Sequence, residues 1–172
     1  DDVMFRLPLI LCMVLITAIN VNAQERQKAK PADVATIDGV MKAYYEGVSG
    51  APGKRDGERI LSLFIPNGKI KSNMDGMEPT HQLAEEYLRT ESFLTLSTDF
   101  YEREISRDEQ IFGNMANVIS TYGISDAWEN EKYTARGVTV FQLVKTGGRW
   151  WILSTMWQRE SDDFPLPPHL LD

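Results

Sequence analysis

The chain has 172 residues, 42% of them hydrophobic, with one cysteine and 18 Lys+Arg against 25 Asp+Glu, a formal net charge of −7. That length supports one domain with a sizeable core. A lone Cys excludes an intrachain disulfide and a cysteine-based zinc site, and an acidic balance without a basic block argues against a nucleic-acid partner.

Met4 to Ala23 reads MFRLPLILCMVLITAINVNA. A positive Arg6, an apolar run from Leu7 to Ile19, and compact Val21 and Ala23 before Gln24 follow the order of a secretory signal peptide. The run is shorter than the roughly 20 residues of a spanning helix, so no stable membrane anchor is expected in the mature chain. The expected location is therefore outside the cytoplasm, periplasmic or secreted, after cleavage near Ala23. Cys12 lies inside the apolar run, away from the cut, which speaks against a lipoprotein anchor. Residues 1–23 are thus read as upstream residues plus leader, 24–32 as a polar lead-in, 33–160 as the domain and 161–172 as a Pro-rich tail.

Pro31 and Asp33 signal a helix start, and Val34, Ile37, Met41, Tyr44, Tyr45 and Val48 recur at helical spacing. Gly47 and Gly50 end that stripe. Asp56 can cap a short helix through Phe64, with Ile60, Leu61, Leu63 and Phe64 buried. Pro66-Asn67-Gly68 predicts a turn, residues 69–72 a strand, and Asp75-Gly76 a second turn. Thr80 can cap a third helix with Leu83, Ala84, Tyr87 and Leu88 inward. Strands are predicted over 100–107, 114–125, 133–145 and 149–160, the last two joined by Gly147-Gly148. The tail, Phe164-Pro165-Leu166-Pro167-Pro168, reads as irregular.

Helices first and a mostly antiparallel sheet after them define an α+β fold. On the third strand Val138, Val140 and Val144 share one face, and Thr139, Phe141 and Leu143 the other. On the fourth, alternation places Trp150, Ile152 and Met156 opposite Trp151, Leu153 and Trp157. Strands apolar on both faces need cover on both. Helices supply one cover; a second copy of the chain, or else the C-terminal tail, supplies the other.

The helix DVATIDGVMKAYYEGV, the step Leu63-Phe64-x-Pro66-x-Gly68-x-Ile70 and the hairpin Gly147-Gly148-Arg149-Trp150-x-Ile152 resemble the NTF2-like superfamily, in particular SnoaL-like and other small bacterial exported members. The resemblance covers about residues 33–160. It implies a cystatin-like cone: a curved, mostly antiparallel sheet wrapped around the N-terminal helices, with a pocket inside and dimers through the outer sheet face. It also implies a range of roles, from dehydratases, isomerases and cyclases to modules that only bind, so fold does not choose function. The enzymes of the superfamily place a carboxylate, or an Asp with His and Tyr, deep in the cone.

No such set stands out in the sequence. His81 and His169 are the sole histidines and are far apart, and no metal site or cofactor is expected. Glu102 and Glu104 alternate with Tyr101, Arg103, Ile105 and Arg107 on one strand. The apolar pair Tyr101 and Ile105 is read as the inner face, which sends both glutamates to solvent and turns Arg103 toward the pocket, where it would favour an anion. Tyr44 and Tyr45 point about 100° apart, so at most one of them faces the pocket centre. Tyr44 and His81 are the weak catalytic candidates. Tyr44, Arg103, Tyr122, Trp128, Gln142 and Gln158 are the candidate ligand contacts, with plain packing or exposure as the competing reading for each. The expected function is binding of a small, partly apolar molecule in the cone. A SnoaL-type lyase or isomerase using general acid/base catalysis is the alternative, and an interaction or assembly protein with a filled core is the other.

Overall fold

The structure, a computed structural model, describes residues 27–73 and 80–171. The leader, Cys12 and the Asp75-Gly76 turn lie outside the described residues.

The opening helix is two. α1 (Pro31–Val34) and α2 (Ile37–Val48) are separated at Thr36, which takes an extended backbone and accepts the Gly39 N–H at 3.0 Å through its side chain, so that it caps a new helix. The apolar stripe of α2 is buried as its spacing requires. β1 (Gly53–Lys54) follows, and then α3 (Gly57–Leu61), capped by Asp56. Arg59 of α3 clasps Asp33 through Nε and Nη2, at 2.9 and 3.0 Å, and reaches Glu46 at 3.0 Å, which ties α3 to α1 and α2.

β2 spans Phe64–Asn73. The turn expected at Pro66-Asn67-Gly68 is an irregularity inside that strand, where Asn67 takes a left-handed φ of 62°. The helix expected from Thr80 starts later: β3 (Thr80–Leu83) pairs with β2, and α4 (Ala84–Leu88) and α5 (Glu91–Leu94) follow. Sheet pairing outbids capping at 80–83 because β2 offers an open edge there. β4 (Thr95–Leu96) pairs with β1. The long strands are β5 (Tyr101–Phe112), β6 (Met115–Ser125), β7 (Ala135–Thr146) and β8 (Arg149–Arg159). Gly147 and Gly148, at φ 60° and 78°, make the two-residue turn between β7 and β8, whose twist matches that of the strands.

The six-stranded sheet has the order β3-β2-β8-β7-β6-β5; β2 runs parallel to β8, and every other neighbouring pair is antiparallel. α2 lies on its inner face: Tyr44 meets Phe141 edge-on at 4.9 Å, and the Tyr45 hydroxyl is 2.7 Å from Ser120 Oγ. The fully buried centre of the core, with Val40, Met41, Leu61, Phe64, Val118, Phe141, Leu143 and Ile152, fills one end of that face.

Two β-bulges decide what faces inward at the other end. Between β7 and β8 the register passes from Leu143↔Ile152 to Gln142↔Ser154, leaving Leu153 as the extra residue. Between β5 and β6 it passes from Ser106↔Thr121 to Glu104↔Tyr122, leaving Ile105 extra. One inserted residue exchanges the faces of everything beyond it. Strict alternation therefore holds near the hairpin turns and fails past the bulges. Trp150 and Ile152 face inward. Trp157 rather than Met156 joins them, and Met156 is exposed. Arg107 keeps its inward side, where it pairs with Asp38 of α2, while Glu102 and Glu104 turn in and Arg103 turns out.

The outer face is partly covered by the chain itself. The tail ends in a 3-10 turn (Pro168–Leu170), a short regular piece in a segment expected to have none. Its Leu170 carbonyl accepts from the hydroxyls of Ser106 and Thr121, which buries Thr121. Val138, Val140 and Met156 line a shallow hollow of about 90 Å³ on the same face.

Candidate active site

Beyond the bulges the interior is hollow. A cavity of about 300 Å³ is bounded by α2 through Tyr44 and Val48, by α4 and α5 through Tyr87 and Phe93, and by β6, β7 and β8 through Tyr122, Thr139, Trp157 and Arg159. Glu102 of β5, Arg55, from the loop before α3, and Arg159 of β8 supply the charge in its lining.

Local chemistry holds each part in place. Ser49, just past α2, donates its hydroxyl to the Glu102 carbonyl and accepts the Glu102 N–H, both at 2.9 Å, so the sheet's edge strand is pinned to the helix at this residue. Gly50 and Phe100 extend that pairing by one bridge. The Arg55 N–H donates to the Leu94 carbonyl at 2.8 Å. Its guanidinium carbon lies 4.8 Å from the Phe93 ring centre and 5.0 Å from that of Phe100, within cation–π range. Gly137 gives Tyr122 its room: a Cβ there would meet the Tyr122 hydroxyl and the Gln158 carbonyl, each at 2.4 Å.

The electrostatics follow from shielding. Removal from water pushes the Glu102 carboxyl up from 4.5 to about 7, with the Arg55 cation pulling the other way. Tyr44, Tyr87 and Tyr122 are raised by burial and by the neighbouring Glu102, so their phenols stay protonated and act as donors. Burial lowers Arg55, but from so high a value that it remains a cation. A carboxyl that titrates near neutrality, facing neutral phenols and a guanidinium, can remove a proton from carbon and meet the negative charge that develops with hydrogen-bond donors.

A second polar chain lies alongside, under α2. The Tyr45 hydroxyl contacts Ser120 Oγ, Ser120 Oγ donates to Glu104 Oε1 at 2.7 Å, and Arg107 Nε stands 3.7 Å from the same oxygen. The Glu104 carboxylate is paired here, although Arg107 Nη1 is buried with no hydrogen-bond partner. A wider surface hollow of about 450 Å³, lined by Thr134, Arg136 and Glu160, shares Arg159 with the cavity, but the Arg136–Glu160 pair on its wall is already closed at 2.8 Å. Among the described residues no group of three or more His, Cys, Asp or Glu is placed to hold a metal ion.

Of the residues singled out in the sequence, Tyr44 and Tyr122 line the cavity. The others do not. Arg103 points away: Nε donates to the Tyr133 hydroxyl at 3.0 Å and Nη1 to the Trp128 carbonyl at 3.1 Å. Trp128 is exposed and stacks edge-on with Tyr101 at 6.3 Å. Gln142 is exposed on the outer face and accepts from Ser154; Gln158 turns away because the Leu153 bulge reverses its side. His81 sits exposed in β3, not in a helix, and His169 in the tail turn. The residues missed are Glu102, Arg55 and Arg159. The cue that sent Glu102 outward, apolar Tyr101 and Ile105 sharing a face, fails because Ile105 is the bulge residue itself.

The order of elements and the sheet topology define the NTF2-like, cystatin-like fold. Solved structures share it. A protein of unknown function with a cystatin-like fold from Nostoc punctiforme is 15% identical, covers 73% of this chain and 90% of its own, with a TM-score of 0.57. An NTF2-like protein of unknown function from Shewanella baltica is 18% identical over 72% of this chain and 90% of that one, with a TM-score of 0.51. A hexachlorocyclohexane dehydrochlorinase from Novosphingobium barchaimii is 12% identical over 74% and 86%, with a TM-score of 0.54. No protein-family model and no curated protein matches the sequence. At these identities the likeness establishes the fold, and some chains with the fold are enzymes.

Proposed function

We propose that the protein is a cofactor-independent enzyme of the lyase or isomerase class, in which Glu102 is the general base. The observation that carries this reading is the place of Glu102: a carboxyl with no hydrogen-bonding group on it, shielded inside a cavity and faced by Arg55, Tyr44, Tyr87 and Tyr122. A structural carboxylate would be paired, as Asp33 and Glu160 are. An unpaired one in a ligand-sized hollow is arranged to meet a substrate. The dehydrochlorinase that shares the fold is in keeping with proton-removal chemistry. This reading departs from the expectation of binding without catalysis, which rests on placing no acid in the cone; the cavity position of Glu102 favours the enzyme reading.

The step assigned to Glu102 is abstraction of a proton from carbon beside an electron-withdrawing group, with the tyrosine phenols donating to the oxygen that gains charge. The proton then returns at another carbon, or a leaving group departs. The test is exchange in D2O. A panel of small carbon acids is incubated with the wild-type chain and followed by NMR for deuterium at carbon. Expected is enzyme-dependent incorporation that rises as pH passes about 7 and falls at least ~100-fold in Glu102→Gln. Equal incorporation in both chains overturns the role of Glu102, and binding without any exchange makes the protein a binding module.

The same proposal includes export after cleavage near Ala23 and pairing of two copies through the outer sheet face, over Val138, Val140 and Met156. N-terminal sequencing of the exported chain and light scattering test these.

A further inference from the structure

We propose that the cavity receives a small molecule bearing a carboxylate, or a similar planar anion, on an aromatic body, and that Arg55 is the residue that clasps the anion. The proposal deepens the reading of the cavity as an active site and rests on it for the substrate's role.

The argument starts from how this molecule uses arginine. Arg59 holds Asp33 through its Nε/Nη2 edge. Arg136 holds Glu160 in the same way, at 2.8 and 2.9 Å, and Arg89 holds Glu58 at 2.9 and 3.3 Å. The Nε edge is the side of a guanidinium that matches a carboxylate's two oxygens. Arg55 presents no such pair. Its Nε is buried with no hydrogen-bond partner, although Glu102 shares the cavity. The Phe93 and Phe100 rings favour its charge but accept none of its N–H groups in the way an oxygen does. A buried donor left open costs free energy that a ligand oxygen would recover.

The rest of the lining fits the same occupant. Arg159 lines the cavity as well, so its cations outnumber its one carboxyl even when Glu102 is ionised. Tyr44, Tyr122 and Trp157 offer rings for a flat body, and about 300 Å³ is at the small end of ligand pockets. An anion on Arg55 would set the carbons beside it inside the same hollow as Glu102.

The probes are 2-naphthoate and its neutral counterpart 2-naphthamide, titrated calorimetrically into the full chain. Expected is at least tenfold tighter binding of naphthoate to the wild type, loss of that preference in Arg55→Gln, and naphthoate binding retained or tightened in Glu102→Gln, where a repelling charge is gone. Equal affinities for the wild type, no binding of naphthoate at millimolar concentration, or a preference that survives Arg55→Gln would overturn the proposal. If Arg55→Gln does not fold, Arg55→Lys keeps a cation and removes the Nε edge, and it is expected to lose most of the preference. An anion preference without deuterium exchange refutes the base and leaves the clasp; exchange on substrates without an anion preference does the reverse.

Discussion

The two ends of the sheet's inner face are built from the same strands and do opposite things. Near the hairpin turns, Ala116, Val118, Phe141, Leu143 and Ile152 pack with Leu61, Leu63 and Phe64 into an interior with almost no exposure. Past the bulges at Leu153 and Ile105, the same strands present Trp157, Arg159, Tyr122 and Glu102 to a hollow. Alternation supplies a solid core, and interrupting it exchanges which side chains face the hollow, bringing Glu102 and Trp157 in and turning Arg103 and Gln158 out. The close-packed core lies at one end and the cavity at the other.

The sharpest way to break this comparison is Phe141→Ala, which removes a fully buried ring between Tyr44 and the sheet. A loss of about 3–5 kcal/mol is expected in chemical denaturation, against much less for Trp157→Ala, whose side chain is only half-buried beside the cavity. Comparable losses would mean that the two ends are not distinct.

Next in size is the pH dependence of Glu102. Its folded pKa is raised from 4.5 to about 7, so the fold prefers the protonated form. The stability tied to it is complete below about 4.5 and is lost as pH rises to about 7 and beyond. A shift of this size corresponds to about 3 kcal/mol. Glu102→Gln is therefore expected to be the more stable chain above pH 7, with the gap closing toward pH 4.5. Parallel stability profiles for the two proteins would show that the carboxyl is not shielded.

Gly137→Ala is smaller and more local. The new methyl group meets the Tyr122 hydroxyl and a backbone carbonyl, so about 1–3 kcal/mol is lost and the cavity wall shifts. Naphthoate affinity should fall along with stability if Tyr122 lines the binding space. Smallest is Tyr45→Phe, which deletes one end of the Tyr45–Ser120–Glu104 chain while Ser120 still donates to Glu104. About 1 kcal/mol is expected, with deuterium exchange unchanged, because this chain lies beside the cavity and not in it.

The fold was largely legible from residue pattern. The stripe Val40–Met41–Tyr44–Tyr45–Val48, the Asp56 cap, the Gly147-Gly148 turn and the two-faced alternation of β7 are local signals, and each reports its own neighbourhood faithfully. The site was legible only where it rests on unbroken alternation, as at Tyr122, or on helical spacing, as at Tyr44. Counting back from the β5–β6 hairpin turn without a bulge puts Arg103 inside and Glu102 outside; counting on from Gly147-Gly148 without a bulge puts Gln158 on the face of Trp150 and Ile152, and Trp157 on the other. Both errors come from a single inserted residue whose identity, Ile or Leu, carries no mark of the role. Arg55 was hidden for another reason. It follows a short strand whose partner, β4, lies about forty residues on, so nothing nearby shows what covers it.

The parallel pairing of β2 with β8 has a consequence in time. β2 has partners in β3 and β8 alone, and β8 begins at Arg149, some eighty residues downstream of the start of β2. The early helices and β2 thus have no completed sheet to rest on until nearly the whole polypeptide is available. Such distant pairings slow the search for the native arrangement. The chamber that would hold a ligand is among the last parts to close, and Trp157 and Arg159 are carried into its wall by the strand that finishes it.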